Sequence, residues 1–155
     1  MSQLMSPLSG TLFFVRVSLG LLMLHHGLEK FADPVGFSEF IVAKYFPFLP
    51  FSPMVWTLLA AAAQVGGSVG FMLGLLTRPS ALAISGTMVF AMAFHLMDTG
   101  LEGFPVAVVP AHNYQFETSA LYLIGSIGLL AAGPGQLSLS SMVKDRFSSR
   151  VAAWI

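Results

Sequence analysis

The chain contains no cysteine and few charged residues. Without a thiol it has no disulfide, thiolate metal site, iron–sulfur cluster or cysteine nucleophile. Charged residues make up 9% of its 155 positions, against roughly 25% in soluble domains. Seven basic and seven acidic side chains give a formal net charge of zero. A water-soluble globule is therefore excluded, and no basic field or run indicates a nucleic-acid partner.

The chain instead contains long apolar runs. Hydrophobic residues make up 55% of the chain, the mean hydropathy is +0.80, and no charged residue occurs from Tyr45 to Thr77 or from Pro79 to Met97. A helix needs about 20 residues to cross a bilayer. The sequence therefore predicts an all-α bundle of four transmembrane helices in a single membrane domain, residues 1–155. The predicted spans are residues 9–30, 54–76, 79–97 and 114–133.

Two long connections fall on the same side of this predicted bundle. The helical spacing of apolar residues from Phe37 to Tyr45 predicts a short helix in the membrane interface between spans 1 and 2. The connection over residues 98–113 is rich in glycine and proline, which predicts an irregular segment. We expect its apolar patch, Val106 to Val109, to cover the bundle as a lid.

The placement of charge predicts the orientation. An even number of spans puts both termini on one side, which carries Arg78, Lys144, Arg146 and Arg150 against Asp145. The other side carries Lys30 and Lys44 against Glu29, Asp33, Glu39, Asp98, Glu102 and Glu117. The positive-inside rule then places both termini in the cytoplasm. We expect no cleaved signal peptide, because the first apolar run lacks a small-residue cleavage site.

Span 2 also carries a helix-packing pattern. Gly66, Gly70 and Gly74 recur every four residues, so one stripe of this helix lacks side chains. A neighbouring backbone can approach closely along such a stripe. The pattern explains how helices hold together in lipid and carries no functional information.

The ionisable and amide side chains inside the spans are the candidates for function. A charged side chain costs roughly 2.5 to 3.5 kcal/mol at the bilayer centre unless it is paired or hydrated, so we expect these groups to face inward. The candidate ligand-binding residues are Arg16, His26, Lys30, Gln64, His95 and Glu117. Antiparallel threading places most of them at one depth near the outer surface, with Gln64 and Arg16 beneath. The mouth of this predicted polar pocket holds His112, Asn113 and Tyr114.

The pocket favours a lipid-soluble ligand. A carboxylate beside imidazoles suits proton uptake and release. An apolar and aromatic lining from Phe94, Phe116 and Tyr122 suits a flat ring such as a quinone. Gln64 is neutral, so it serves either as a ligand contact or as an interhelical hydrogen bond.

Three alternatives need no such ligand. His26, His95 and Glu117 offer two imidazoles and a carboxylate to a metal ion, but no local His-x-x-x-His or Glu-x-x-His spacing supports a metal site. A buried ion pair of Glu117 with Arg16 or Lys30 would only fix the register of the helices. Arg16 can also extend its long side chain to the cytoplasmic surface.

From about Thr11 to Ser140 the chain resembles the DoxX family of small four-helix integral membrane proteins. The resemblance rests on Arg16 with Gly20, His26–Phe31, Gly66–Gly74 followed by Leu75–Arg78, His95, Asn113–Glu117 and Gly133–Leu139. It implies a bacterial-type inner-membrane protein, often described as a subunit of a membrane oxidoreductase, with some relatives tied to quinone-linked sulfur oxidation. It also implies that the polar pocket residues other than Gln64 match the family's polar positions. Two departures are Gln64, where the family commonly has a glutamate, and Ser140, where an aspartate is usual.

Three classes of function follow. The first is a subunit of a quinone-linked redox system, with no intrinsic cofactor beyond a bound quinone and with membrane redox proteins as partners in the lipid bilayer. The second is a non-catalytic scaffold or assembly factor. The third is a small-molecule transporter, which would require a homo-oligomer because four short helices leave little room for alternating access. No catalytic residue follows from the sequence.

Overall fold

The computed structural model describes residues 7–109, 114–148 and Trp154, and this part of the chain is all-α. The long helices are α1 (Pro7–Ala32), α3 (Pro53–Leu73), α4 (Thr77–Thr99) and α5 (Glu117–Ala132). The shorter ones are α2 (Pro34–Phe37), a π-helix (Ser38–Ala43), α6 (Leu139–Val143) and a 3₁₀ turn (Lys144–Arg146). The all-α prediction is confirmed for the described residues.

Among the described residues, three helices are long and apolar enough to cross a membrane, and they are α1, α3 and α4. The fourth predicted span corresponds to α5, a shorter apolar helix of 16 residues. At 1.5 Å per residue it is about 24 Å long, less than the ~30 Å of a typical hydrocarbon core. The four-span count therefore stays a prediction.

The helices pack mainly as two pairs, α1 with α3 and α4 with α5, which are joined through α3 and α4. Gly20 and Gly27 allow α1 to approach the backbone of α3. A Cβ atom at Gly20 would lie 2.7 Å from the carbonyl oxygen of Ser68, and one at Gly27 would lie 2.9 Å from the amide nitrogen of Val65. Close packing of this kind, rather than a hydrophobic driving force, holds helices together in lipid.

The glycine stripe predicted on span 2 is only partly correct. Gly70 faces α4 at short range, but a Cβ at Gly66 would meet no atom within 4 Å. The close approach is completed by Gly67, where a Cβ would lie 2.8 Å from the side chain of Ile84. Gly74 lies past the last residue of α3, so it ends the helix instead of packing along it.

Gly74 ends α3 in the left-handed conformation, with a φ of +65°. The Leu75 amide donates to the Gly70 carbonyl (3.0 Å) and the Gly74 amide to the Phe71 carbonyl (3.1 Å). This pair of bonds is the Schellman motif, which satisfies carbonyls that a helix end leaves unpaired. The Arg16 guanidinium lies so close that a Cβ at Gly74 would be 2.1 Å from its Nη1 atom.

We expect Gly74→Ala to lower the thermal midpoint of the detergent-solubilised protein sharply. The left-handed conformation costs an L-residue about 1 to 2 kcal/mol, and the new methyl group would also displace Arg16. Gly66→Ala is the matched control, because it adds the same methyl group in open space on α3 and should leave the midpoint unchanged or raise it. Equal midpoints for the two variants would contradict this account of the helix end.

The stretch between α1 and α3, residues 33–52, is called here the connecting segment. It begins with the Asp33 carboxylate accepting a hydrogen bond from the Gly36 amide (2.9 Å), and Pro34 occupies the first helical position. Both features are common at helix starts. The α2 helix and the π-helix that follow pack against α3. The short helix expected here is present, while its position at the membrane interface stays a prediction.

Candidate functional site

A cavity of about 680 Å³ lies between α1, α3, α4, α5 and the connecting segment. Its walls are mostly aliphatic and aromatic. The aromatic side chains that line it are Phe37, Phe46, Trp56, Phe90, Phe94 and Tyr122. Ligand pockets in proteins are typically about 300 to 1,000 Å³, apolar, and supplied with a few polar groups. This cavity has the size and composition of such a pocket.

Helices α1, α3 and α4 bring predicted site residues to this cavity. His26, Lys30, Gln64 and His95 line it. His25, the neighbour of His26, is exposed, in agreement with the helical geometry that selected His26. A role for these side chains in binding a ligand stays a prediction.

Lys30 and His26 lie at the end of α1 that adjoins the connecting segment. The Lys30 ammonium donates to the His26 carbonyl (2.9 Å) and lies 4.6 Å from the centroid of the Phe37 ring. The His26 ring meets Tyr122 edge-on at 5.7 Å between centroids, and its Nδ1 atom lies 3.8 Å from the Glu29 carboxylate. These contacts hold a cation and an imidazole at the cavity wall.

Gln64 reaches the cavity from the middle of α3 and is buried. Its Nε2 atom donates to the Thr87 hydroxyl of α4 (3.3 Å), and that hydroxyl donates to the Ile84 carbonyl (2.9 Å). The interhelical hydrogen bond foreseen for Gln64 is therefore present. Within the described residues its Oε1 atom has no hydrogen-bond partner. Thr87 was not identified from the sequence, because a threonine within an apolar helix gives no distinctive pattern.

Arg16 does not line the cavity, so the structure does not bring it together with the other predicted site residues. Its Nη1 atom donates to the Phe71 carbonyl (2.9 Å), and its Nη2 atom donates to the Leu137 carbonyl. The side chain is fully buried, so it does not extend to the surface either. The fork of donors in a guanidinium can bind two carbonyls at once, and here it joins α1, α3 and the chain after α5.

Glu117 also lies outside the cavity, and the prediction that it shares the pocket is wrong. Its side chain is exposed at the start of α5. Ser119 and Tyr122 are the buried residues of this turn, and Glu117 is about 200° around the helix from Ser119 at 100° per residue. Glu117 therefore faces away from the interior of the bundle, although the sequence analysis expected it at the depth of the other site residues. No ion pair of Glu117 with Arg16 or Lys30 forms in the described part of the chain.

The alternative metal site of His26, His95 and Glu117 lacks one of its three ligands, because Glu117 does not line the cavity. In residues 7–109, 114–148 and 154, no group of three His, Cys, Asp or Glu side chains could hold a metal ion. The aromatic lining also differs from the prediction at one position. Phe94 and Tyr122 line the cavity, whereas Phe116 packs on Phe104 with 5.0 Å between ring centroids.

The connecting segment forms one wall of the cavity, which the sequence analysis did not foresee. Phe37, Ile41, Val42, Phe46 and Leu49 belong to that wall. The lid expected from residues 98–113 is wrong for the described part of that loop, because Val106 and Val108 are 87% and 93% exposed. His112 and Asn113, predicted at the mouth, lie outside the described residues.

A polar contact fixes the connecting segment to the C-terminal end of α4. The Tyr45 hydroxyl donates to the Asp98 carboxylate and accepts a hydrogen bond from the Lys44 ammonium (2.7 Å). The Tyr45 ring also packs edge-on against Phe94, with 5.0 Å between centroids. The hydrogen bond to Tyr45 raises the pKa of Lys44 above its usual value. The segment is thereby tied to the helix whose residues form the opposite side of the cavity.

Comparison with known proteins identifies one family. A family model described as DoxX matches residues 11–96, which is over half of the chain. No curated protein and no solved structure matches the chain. The family match, together with three helices of sufficient length and apolar character, indicates a multi-pass membrane protein in contact with the lipid bilayer.

Proposed function

This chain belongs to the DoxX family, and from that premise we propose that it is a subunit of a quinone-linked membrane redox system. Its cavity would bind a flat, lipid-soluble ring. The single observation that carries the proposal is the mostly apolar cavity of about 680 Å³ between the helices, since a tightly packed membrane scaffold has no need of one.

The chemistry of the walls fits a quinone head group. Aromatic side chains offer faces and edges against which a planar ring can stack. His26 and Lys30 on α1 and His95 on α4 supply nitrogen donors at the cavity, and a quinone presents two carbonyl oxygens as acceptors. An imidazole can also exchange protons near neutral pH, which a redox reaction of a quinone requires.

The cavity also has a route from the lipid. Leu59 of α3 and Leu82, Gly86 and Phe90 of α4 line it and are exposed. A Cβ at Gly86 would meet no atom within 4 Å, so this stretch of α4 leaves open space beside the cavity. A membrane-dissolved molecule can enter there without passing through water.

We expect decylubiquinone to raise the thermal midpoint of the purified protein, because a ligand that binds only the native state stabilises it. At about 100 times its dissociation constant the gain is about 2.7 kcal/mol. Gly86→Trp should abolish the shift by filling the cavity entrance. Gly66→Trp, at an exposed glycine of α3 that also faces open space and does not line the cavity, should keep it.

Two results would count against the quinone site. One is an unchanged midpoint of the wild-type protein at saturating decylubiquinone, which would favour the scaffold alternative. The other is an equal shift in Gly86→Trp and Gly66→Trp, which would place the bound quinone outside the cavity.

We further propose that the protein lies in a bacterial-type inner membrane with both termini in the cytoplasm. The described basic residues Arg78, Lys144 and Arg146 then lie on the cytoplasmic side, as the positive-inside rule requires. The connecting segment and the cavity end bounded by Lys30 and His95 face the periplasm.

The absence of native cysteine makes this orientation directly measurable. In intact cells a membrane-impermeant maleimide should label Ser52→Cys, because this exposed residue precedes α3 on the outer side. Ser148→Cys, exposed after the 3₁₀ turn, should react only after the cells are permeabilised. The reverse pattern of labelling would invert the proposed topology.

A further inference from the structure

We infer that the cavity binds its ligand in one orientation, with a ring against α1 and α5 and an attached apolar chain in the gap between α3 and α4. The inference rests on the proposed function and adds to it the substrate class, which is a ring that carries a long alkyl or isoprenoid chain. It follows from the unequal distribution of polar side chains around the cavity.

The wall that α1 and the start of α5 contribute is polar. Its residues are His26, Glu29, Lys30, Gln115, Thr118, Ser119 and Tyr122. The His26 and Tyr122 rings meet edge-on with 5.7 Å between centroids, so the polar residues of the two helices adjoin. Glu29, Gln115 and Thr118 are exposed as well as lining the cavity. The opening on this side is therefore edged by polar groups.

The wall that α3 and α4 contribute has an apolar opening. The exposed residues of this wall are Leu59, Leu82, Ala83, Gly86 and Phe90. Ala60 and Ala63 of α3 also line the cavity, and a Cβ at Gly86 would meet no atom within 4 Å. Side chains this small leave space for a narrow apolar chain between the two helices.

The polar side chains of α3 and α4 that line the cavity do not change this division. Gln64 and Thr87 are joined to each other by a hydrogen bond of 3.3 Å, and the Trp56 indole donates to a carbonyl of the connecting segment. His95 lies about 13 Å along α4 from Gly86, at 1.5 Å per residue. The exposed stretch of α4 therefore offers no charged group or imidazole to a ring.

A ligand with a polar ring and an apolar chain fits these two openings best in one direction. With the ring toward α1 and α5, its carbonyl oxygens face the Lys30 ammonium and the His26 imidazole, and the chain leaves through the apolar opening. The reverse direction would lay the chain over Glu29 and Lys30, which would lose hydrogen bonds to water without replacement. The residues that the connecting segment contributes are buried or half-buried, so that side is closed.

Photo-crosslinking with two analogues of decylubiquinone tests this orientation on the full-length protein in lipid nanodiscs. One analogue carries an azide on the ring, and the other carries a diazirine in the middle of the decyl chain. Mass spectrometry locates the labelled residues, and competition by excess decylubiquinone defines the specific labelling. We expect the ring probe to label residues 26–30 or 115–122, and the chain probe to label residues 59–63 or 82–90.

Two tryptophan variants test whether the apolar opening is needed. Gly86→Trp fills this opening, so specific labelling by both probes should be lost. Gly66→Trp also adds an indole at an exposed glycine, but on α3 outside the cavity, and it should keep the wild-type pattern. The thermal midpoint of each variant without ligand shows that it is folded.

The outcomes separate this inference from the proposed function. Exchanged patterns for the two probes, or labelling of the same residues by both, would overturn the inference while the quinone site stands. So would specific labelling by the ring probe alone, which would assign the gap to the acyl chain of a phospholipid, or unchanged labelling of Gly86→Trp. Absence of specific labelling by both probes in the wild-type protein would overturn the inference and the proposed function together.

Discussion

A polar side chain in an apolar bundle needs a partner, because the surrounding lipid offers none. This requirement is met in different ways at the two ends of the structure. At one end, arginine side chains donate to backbone carbonyls at or near helix ends. Arg16 donates to the Phe71 and Leu137 carbonyls, and Arg78 donates to the Leu130 carbonyl at the end of α5 (3.0 Å). These bonds join segments that are far apart in sequence.

At the other end, polar side chains line the cavity. His26, Lys30 and His95 lie where the connecting segment covers the bundle. Gln64 lies deeper, and its amide nitrogen is bonded to Thr87 while its amide oxygen has no partner in the part of the chain that the structure describes. The helices do not close on one another here, because α1 and α5 make little contact and aromatic rings from the connecting segment complete the wall. We therefore place the proposed ligand at this end of the protein.

Much of the fold could be predicted from the sequence, since it follows from local patterns. The α1, α3 and α4 helices agree within a few residues with three of the apolar runs, and their ends fall at proline and glycine positions that break helices. The choice of His26 over His25 followed from the 100° rotation per residue. These inferences needed only neighbours along one helix.

The errors all concern contacts between distant segments. Arg16 finds its partners in the last turn of α3 and in the chain after α5, which a helical projection of α1 does not contain. Glu117 lies at the depth of the cavity but faces away, because depth and rotation around the helix are independent. The connecting segment was expected only at the membrane surface, although its apolar side chains also supply a wall of the cavity. Thr87 acquires its role only because Gln64 of another helix lies opposite it.

We propose that the space between the helices holds a lipid-soluble ring. Mass spectrometry of the organic extract of the gently solubilised, purified protein tests it most directly, with the extract of the whole membrane and of Gly86→Trp as references. The account predicts that a quinone or quinol is enriched with the wild-type protein relative to both references. An extract whose quinone content, relative to phospholipid, equals that of the whole membrane would contradict it.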